Sequence, residues 1–147
     1  ELFKSQINAH KEAKASLGKK GEHLRIMMSR VTYCAKDEKE ASEILTRAYE
    51  YYGRFDNVYT GPGVVENGCI LALPCIQSIE ELEQNLLIGT PNKLIDHMSE
   101  YYEAGIDDYI LSSNLGQPQS QHLEAMQRFA EEVMPNFHGL AGVKKAV

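Results

Sequence analysis

The stretch LLIGTPNKLIDHMSEYYEAGIDDYILSS, from Leu86 to Ser113, decides the fold class. Two short apolar runs, Leu86–Ile88 and Ile106–Leu111, lie on either side of a segment whose apolar residues recur at helical spacing. Thr90-Pro91 is typical of a helix start and Gly105 of a helix end. A strand, a helix and a second strand in this order are typical of a parallel sheet with right-handed crossovers. The sequence therefore predicts an α/β protein.

The same alternation continues on both sides of this stretch. Leu24–Cys34 is rich in apolar and β-branched residues, so it predicts another strand. Apolar residues at helical spacing predict further helices over Phe3–Leu17, Ala41–Tyr52 and Gln121–Met134. The predicted order is helix, strand, helix, irregular insert, strand, helix, strand, helix.

Short signals mark where these elements begin and end. Asp37 is expected to cap the helix that follows it, and Gly53 is expected to end that helix. The region Arg54–Gln84 is irregular and forms the insert. Within it, Asn67-Gly68 predicts a β-hairpin, because both turn residues of that turn type need a positive φ. Ser78 predicts a short capped helix.

Length and charge exclude several classes of protein. The chain has 147 residues and a net charge of −6, and it opens on a Glu rather than a Met. A complete (β/α)8 barrel takes about 250 residues, so this chain is too short for one. The acidic balance argues against a nucleic-acid or anionic-membrane partner. Its apolar runs are far shorter than the ~20 residues that span a bilayer.

The cysteines and histidines predict neither disulfides nor a metal site. The three cysteines, Cys34, Cys69 and Cys75, are an odd number at scattered spacing and have no paired set that would complete a zinc site. They are expected to be free thiols in a reducing, cytoplasmic setting. The five histidines share no spacing suited to a metal ion.

Several motifs together resemble one enzyme family. They are LLIGTPNKLIDHM (Leu86–Met98), EAGIDDYILSS (Glu103–Ser113), FAEEVMPNF (Phe129–Phe137) and, upstream, RVTYCAKDEKEA (Arg30–Ala41). Each motif alone is weak evidence for a family, because it consists mostly of residues that are typical of helix starts and ends. Their order and spacing resemble the C-terminal end of the bacterial luciferase-like flavin-dependent monooxygenases.

The resemblance implies a fold, a cofactor and partners. The family fold is a (β/α)8 TIM barrel, of which this chain would supply the sixth to eighth strands within residues 1–138. Residues 54–84 would be the mobile lid and residues 139–147 a tail. The parent protein would use reduced FMN, or a deazaflavin in some relatives, and O2 to oxidise a small organic substrate. A flavin reductase could serve it. The segment alone is expected to be inactive, to bind no flavin tightly, and to pair with itself or with a missing N-terminal part.

Four residues are candidates for the site. A guanidinium keeps its charge, so Arg30 inside an apolar strand needs an anionic partner. In alkanesulfonate-type members of the family, an Arg and a His two residues later line the active site. Arg30 matches the first, and Thr32 stands in place of the His. The resemblance therefore implies flavin or substrate-anion contact for Arg30, the candidate catalytic residue. A structural carboxylate partner is the alternative.

Thr32, Ser112 and Ser113 are candidate substrate-binding residues. Thr32 shares a strand face with Arg30, and the two serines end the last predicted strand. In a barrel the carboxyl ends of the strands carry the active site. Simple solvation of a loop is the alternative for the serines. For the whole chain, the alternative function is a non-catalytic α/β module that self-associates or pairs with a partner chain, because three strands leave sheet edges unpaired.

Overall fold

A three-stranded parallel sheet forms the centre of the computed structural model, which describes residues 2–59 and 61–137. Its strands are β1 (Met27–Cys34), β4 (Leu87–Gly89) and β5 (Asp108–Ser112). A separate antiparallel hairpin consists of β2 (Val65–Glu66) and β3 (Cys69–Ile70). The α-helices are α1 (Leu2–Ser16), α2 (Glu38–Tyr59), α3 (Ile79–Asn85), α4 (Pro91–Ala104) and α5 (Gln119–Arg128). A π-helical turn (Phe129–Val133) and a 3-10 turn (Met134–Phe137) continue α5.

Strand β1 lies in the middle of the sheet, so the order is β4-β1-β5. Its carboxyl end pairs with β4, with Thr32 opposite Leu87. Its amino-terminal part pairs with β5, with Ser29 opposite Ile110. Both pairings are parallel, and the predicted α/β class with a parallel sheet is confirmed.

Helices cover both faces of this sheet. Tyr33 and Ile88 are register partners on one face, where they share a core cluster with residues of α2. Cys34 and Leu87 point to the opposite face, where they pack with Leu94 and Met98 of α4. Because successive side chains of a strand alternate between faces, α2 and α4 lie on opposite sides of the sheet. The result is a doubly wound open sheet.

This strand order is not that of consecutive barrel strands. In a barrel, β4 would lie between β1 and β5, and all the helices would lie on the outer face. Here β5 occupies the second edge of β1 instead. Strand length favours this pairing, because β1 has 8 residues along its edge with which β5 can pair, whereas β4 has only 3. The structure shows the α/β class but does not show the barrel.

Helix α2 is longer than the sequence predicted, because Gly53 does not end it. The helix continues to Tyr59, and Gly53 is buried within it. A Cβ atom at Gly53 would lie 2.1 Å from the carbonyl oxygen of Leu73. The glycine therefore permits the insert to approach the helix closely and does not mark the end of the helix. Residues 54–59 of the predicted lid are accordingly helical.

The buried Asn57 holds the hairpin against this extension of α2. Its Nδ2 donates to the carbonyl oxygens of Val64 at 2.9 Å and Leu71 at 2.8 Å. Its Oδ1 accepts from the Val64 amide at 2.7 Å. One amide side chain thus satisfies three backbone groups of the hairpin, a role that the irregular composition of the insert did not indicate.

Most of the short signals are confirmed. Asp37 Oδ1 accepts from the Glu40 amide at 2.8 Å, as expected of a cap. Asn67 and Gly68 have φ angles of 49° and 78° between β2 and β3. Ser78 forms a capping box with Glu81. The last predicted helix differs, because its α-helical part ends at Arg128 and the helix continues irregularly to Phe137, past the expected stop before Pro135.

The predicted tail, residues 139–147, lies outside the described residues. Among the helices of the described residues, none combines the length and the apolar character needed to cross a membrane.

Candidate functional site

The carboxyl ends of β1 and β5 meet at the point where the direction of winding reverses. The connection that leaves β1 leads to β4 on one side, and the connection that leaves β4 leads to β5 on the other side. In open α/β sheets, ligands bind in the crevice outside the strand ends at such a point. The topology alone therefore selects the β1–β5 end of the sheet as the candidate site.

A cavity of about 280 Å³ lies there; we call it the β1/β5 cavity. Its wall on the sheet side includes Thr32 and Cys34 from β1 and Leu111 from β5, followed by Ser113. The opposite wall comes from the last helix and consists of Ala125, Met126, Phe129, Ala130 and Met134. None of the side chains that line the cavity carries a charge at neutral pH.

One polar pair borders this apolar cavity. The Oγ atom of Ser113 lies 2.9 Å from Nε2 of His122, within hydrogen-bonding distance. Ser113 comes directly after β5, and His122 lies in the first turns of α5, where its amide donates to the carbonyl of Pro118. The loop between them is short, so the end of the strand and the start of the helix bring the two side chains together.

A buried carboxylate, that of Glu40, lies beside the end of β1. Its oxygens accept hydrogen bonds from the Lys36 amide at 2.7 Å, from Nε2 of Gln121 at 2.9 Å and from the Tyr33 hydroxyl at 3.2 Å. Arg128 Nη1 lies 3.8 Å from it and donates to the Cys34 carbonyl at 2.7 Å. We call Glu40 and the four residues around its carboxylate, namely Tyr33, Lys36, Gln121 and Arg128, the Glu40 network. It fixes α5 across the carboxyl end of β1.

The protonation states near the cavity follow from these contacts. Burial opposes ionisation of Glu40, but the hydrogen bonds from Lys36, Gln121 and Tyr33, together with the charge of Arg128, hold the pKa of this carboxyl below its usual range. Burial, and then the neighbouring Glu40 charge, raise the pKa of the Tyr33 hydroxyl. Burial raises the pKa of the Cys34 thiol to about 11. At neutral pH Cys34 is thus a neutral thiol and no nucleophile.

The structure brings two of the four predicted site residues together. Thr32 and Ser113 line the β1/β5 cavity. Ser112 is exposed and, by alternation along β5, points to the opposite face of the sheet. Arg30 borders a different cavity of about 460 Å³, together with Ile7 and residues of the amino-terminal half of β1. The roles predicted for these four residues remain predictions.

Sequence reasoning missed the residues that α2 and α5 contribute. Glu40 belongs to the charged run Lys36–Glu40 before and at the start of α2, yet its side chain is buried. The spacing Asp37-x-x-Glu40, typical of a capping box, was the available signal. His122, Gln121 and Arg128 carried no local signal, because only the packing of α5 brings them to the strand ends.

Metal binding finds no geometric support in residues 2–59 and 61–137. No three side chains of His, Cys, Asp or Glu in these ranges are grouped so that they could hold a metal ion. The polar groups at the site are instead hydroxyl, imidazole and amide groups with one carboxylate and one guanidinium, which suit an organic molecule.

The chain is similar to a known oxygenase. It is 25% identical over 123 residues to the flavin-dependent trigonelline monooxygenase, oxygenase component, of Acinetobacter baylyi. The matched region covers 79% of this chain and 34% of that protein, so the chain spans about a third of the length of this relative. No family model matches the chain. The similarity supports a relationship to the flavin-dependent monooxygenases.

Proposed function

We propose that this chain is the C-terminal segment of a flavin-dependent monooxygenase of the luciferase-like group. The whole protein would oxidise an organic substrate with O2 and reduced flavin. The similarity to an oxygenase component over most of the chain carries the proposal. The β1/β5 cavity supports it, since it offers a mostly apolar site with a polar end, as small-molecule sites usually do.

The described residues do not by themselves fit a complete flavin mononucleotide. The cavity, at about 280 Å³, lies below the roughly 300–1,000 Å³ of typical cofactor sites. A flavin phosphate would also need free helix N-terminal amides. At the start of α2 the chain's own carboxylates already lie among these amides, since Asp37 accepts from the Glu40 amide and Glu40 accepts from the Lys36 amide just before the helix.

The N-terminus of α4 suits a phosphate no better. The hydroxyl of its N-cap residue, Thr90, lies 3.5 Å from a Glu38 carboxylate oxygen, so a negative charge already faces this helix end. We therefore assign the principal flavin contacts to the part of the parent protein outside this chain. This chain would supply the substrate cavity, and residues 54–84 a lid over the site.

The partners follow from the same proposal. The relative is named as an oxygenase component, so we propose that a separate flavin reductase supplies reduced FMN to the parent protein. The resemblance implies the (β/α)8 barrel of the family for the parent, in which β4 would lie between β1 and β5. The substrate cavity proposed here rests instead on the strand order of this structure, with β5 beside β1.

Turnover by the whole protein tests this function. The protein encoded by the whole reading frame is mixed with a flavin reductase, NADH and FMN, and O2 uptake is measured over a set of small organic compounds. We expect at least one compound to raise O2 uptake above that of the reductase alone, and the 147-residue chain to give no such increase. No increase with any compound, together with no binding of reduced FMN, would reject the proposal.

One observation favours the alternative of a non-catalytic module. Among the described strands, β5 lies at a sheet edge, and its Ile110 is 51% exposed. Exposed apolar edges favour pairing with another chain. In this alternative the chain self-associates or binds a partner chain without catalysis. A monodisperse monomer by light scattering at working concentration would count against it.

A further inference from the structure

We propose that the β1/β5 cavity binds a small, neutral, hydroxyl-bearing aromatic molecule of the phenol class, with its hydroxyl group on the Ser113–His122 pair. That such a molecule is the substrate rests on the function proposed above; that it binds rests on the cavity alone. Three properties of the cavity carry the inference, namely its size and walls, its polar pair, and its lack of charge.

The size and walls select a single aromatic ring. A volume of about 280 Å³ holds one ring with small substituents and leaves no room for a second ring system of cofactor size. Phe129 lines the cavity and can pack edge-to-face against a bound ring. Met126 and Met134 line it as well, and a thioether sulfur near a ring edge makes a favourable contact.

The polar pair selects a hydroxyl group. If Nε2 of His122 carries the proton, it donates to Ser113 Oγ, and the serine hydroxyl can donate to the ligand. If Nε2 is unprotonated, Ser113 donates to it, and the Oγ lone pairs accept from the ligand. A hydroxyl both donates and accepts, so it satisfies the pair in either tautomer.

The charges around the cavity disfavour an anion. The nearby cation, Arg128, is already engaged by the Cys34 carbonyl at 2.7 Å and lies 3.8 Å from the Glu40 carboxylate. The side chains that line the cavity are uncharged, so a carboxylate bound there would lose its hydration and gain in return only a hydrogen bond from the neutral Ser113 hydroxyl. A neutral phenol carries no charge that would lose its hydration in the cavity.

Titration of the 147-residue chain with matched probes tests the inference. Phenol, toluene and benzoate share one ring and differ in the polar group, and their binding is followed by the NMR signals of the methionine methyl groups. One hydrogen bond in the cavity predicts that phenol binds roughly 3- to 10-fold more tightly than toluene. Benzoate is expected to bind more weakly than phenol. Equal affinity for phenol and toluene, or tighter binding of benzoate, would overturn the inference.

Two variants and one control locate the site. Ser113→Ala should remove the preference for phenol over toluene, whereas the control Ser120→Ala, an exposed serine of α5 outside the cavity lining, should keep it. Ala130→Leu fills the cavity from an exposed helix position that tolerates a larger side chain, and it should abolish binding of both neutral probes. Circular dichroism confirms that each variant is folded. If folded Ala130→Leu binds phenol like the parent chain, the ligand lies elsewhere and the inference fails.

No flavin is present in this titration, so its outcome is independent of the proposed function. Phenol binding without flavin-dependent turnover by the whole protein would leave the cavity assignment standing and reject the enzyme proposal. Flavin-dependent turnover by the whole protein without phenol binding by this chain would reject the cavity assignment and leave the enzyme proposal standing.

Discussion

Replacing Glu40 by alanine should be one of the most destabilising single changes at the carboxyl end of the sheet. The Glu40 side chain is buried and accepts hydrogen bonds from Tyr33, Gln121 and the Lys36 amide. Its removal takes this acceptor from the Gln121 amide and the Lys36 amide, and leaves the Tyr33 hydroxyl with the Gln121 carbonyl at 3.4 Å. Removing one partner of a buried ion pair costs roughly 3–5 kcal/mol. Arg128 is 3.8 Å away and its side chain is 18% exposed, so water can partly replace the lost carboxylate.

The lower end of that range therefore applies, and we expect a loss of about 3 kcal/mol in the free energy of unfolding. For a chain of this size, roughly 3 °C in Tm corresponds to each kcal/mol, so Tm should fall by about 9 °C. Urea unfolding followed by circular dichroism gives the free energy, and a thermal scan gives Tm.

Glu43→Ala is the matched control, because Glu43 lies one turn further along α2 and is exposed. Its free energy of unfolding should change by less than about 0.5 kcal/mol. The reasoning is refuted if Glu40→Ala and Glu43→Ala unfold at the same urea concentration, since the Glu40 network would then contribute nothing to α5 docking.

Three further predictions follow from the same structure. Folding lowers the pKa of Glu40, so its carboxylate stabilises the folded chain. This contribution to the free energy of unfolding is complete above the unfolded pKa of about 4.3 and is lost as the pH falls through the folded pKa. The urea midpoint should therefore fall less steeply below pH 5 in Glu40→Gln than in the parent chain, and parallel curves would contradict this. Gly53→Ala should destabilise the chain by about 1–3 kcal/mol, because the added Cβ would collide with the Leu73 carbonyl, even though alanine has the better helix propensity. The control Gly61→Ala adds its Cβ in open space and should leave the free energy of unfolding nearly unchanged. The pair Ser29→Cys and Ile110→Cys, which are register partners, should form a disulfide that a shift on non-reducing gels reveals, and failure to form one under oxidising conditions would argue against the strand order.

The sequence predicted the local structure well where one or two residues determine the backbone. Asn67-Gly68 needed positive φ angles and has them, and Ser78 caps its helix as the spacing to Glu81 required. Gly53 shows the limit of such signals. A glycine after a helical run is typical of a helix end, but it equally permits a close backbone contact, and only the position of Leu73 decides between the two.

The strand order could not be read from local patterns. The hydrophobic runs identify β1, β4 and β5 as strands but carry no information on which edges pair. The pairing depends on the length that each edge offers and on which face each helix covers, and both are properties of the assembled chain. The resemblance to a barrel family therefore predicted neighbours that differ from those in this structure.

The sequence drew attention to two residues on the sheet side of the β1/β5 cavity and to none on its helix side, and the substrate-binding role of those two residues stays a prediction. Thr32 was named because it shares a strand face with Arg30, and Ser113 because it ends the last predicted strand; both line the β1/β5 cavity. Arg30 drew attention as a charge in an apolar strand, yet it borders a different cavity. His122 and Arg128 come to the site only through the docking of α5, which links positions far apart in the sequence.

Binding of reduced FMN under anaerobic conditions tests the central claim most directly. Equilibrium dialysis compares the 147-residue chain with the protein encoded by the whole reading frame. The account predicts saturable FMN binding by the whole protein and none by this chain at the same flavin concentration. Absence of binding by the whole protein would contradict the assignment to a flavin-dependent monooxygenase, and tight binding by the 147-residue chain alone would contradict the division of the site between this chain and the rest of the parent.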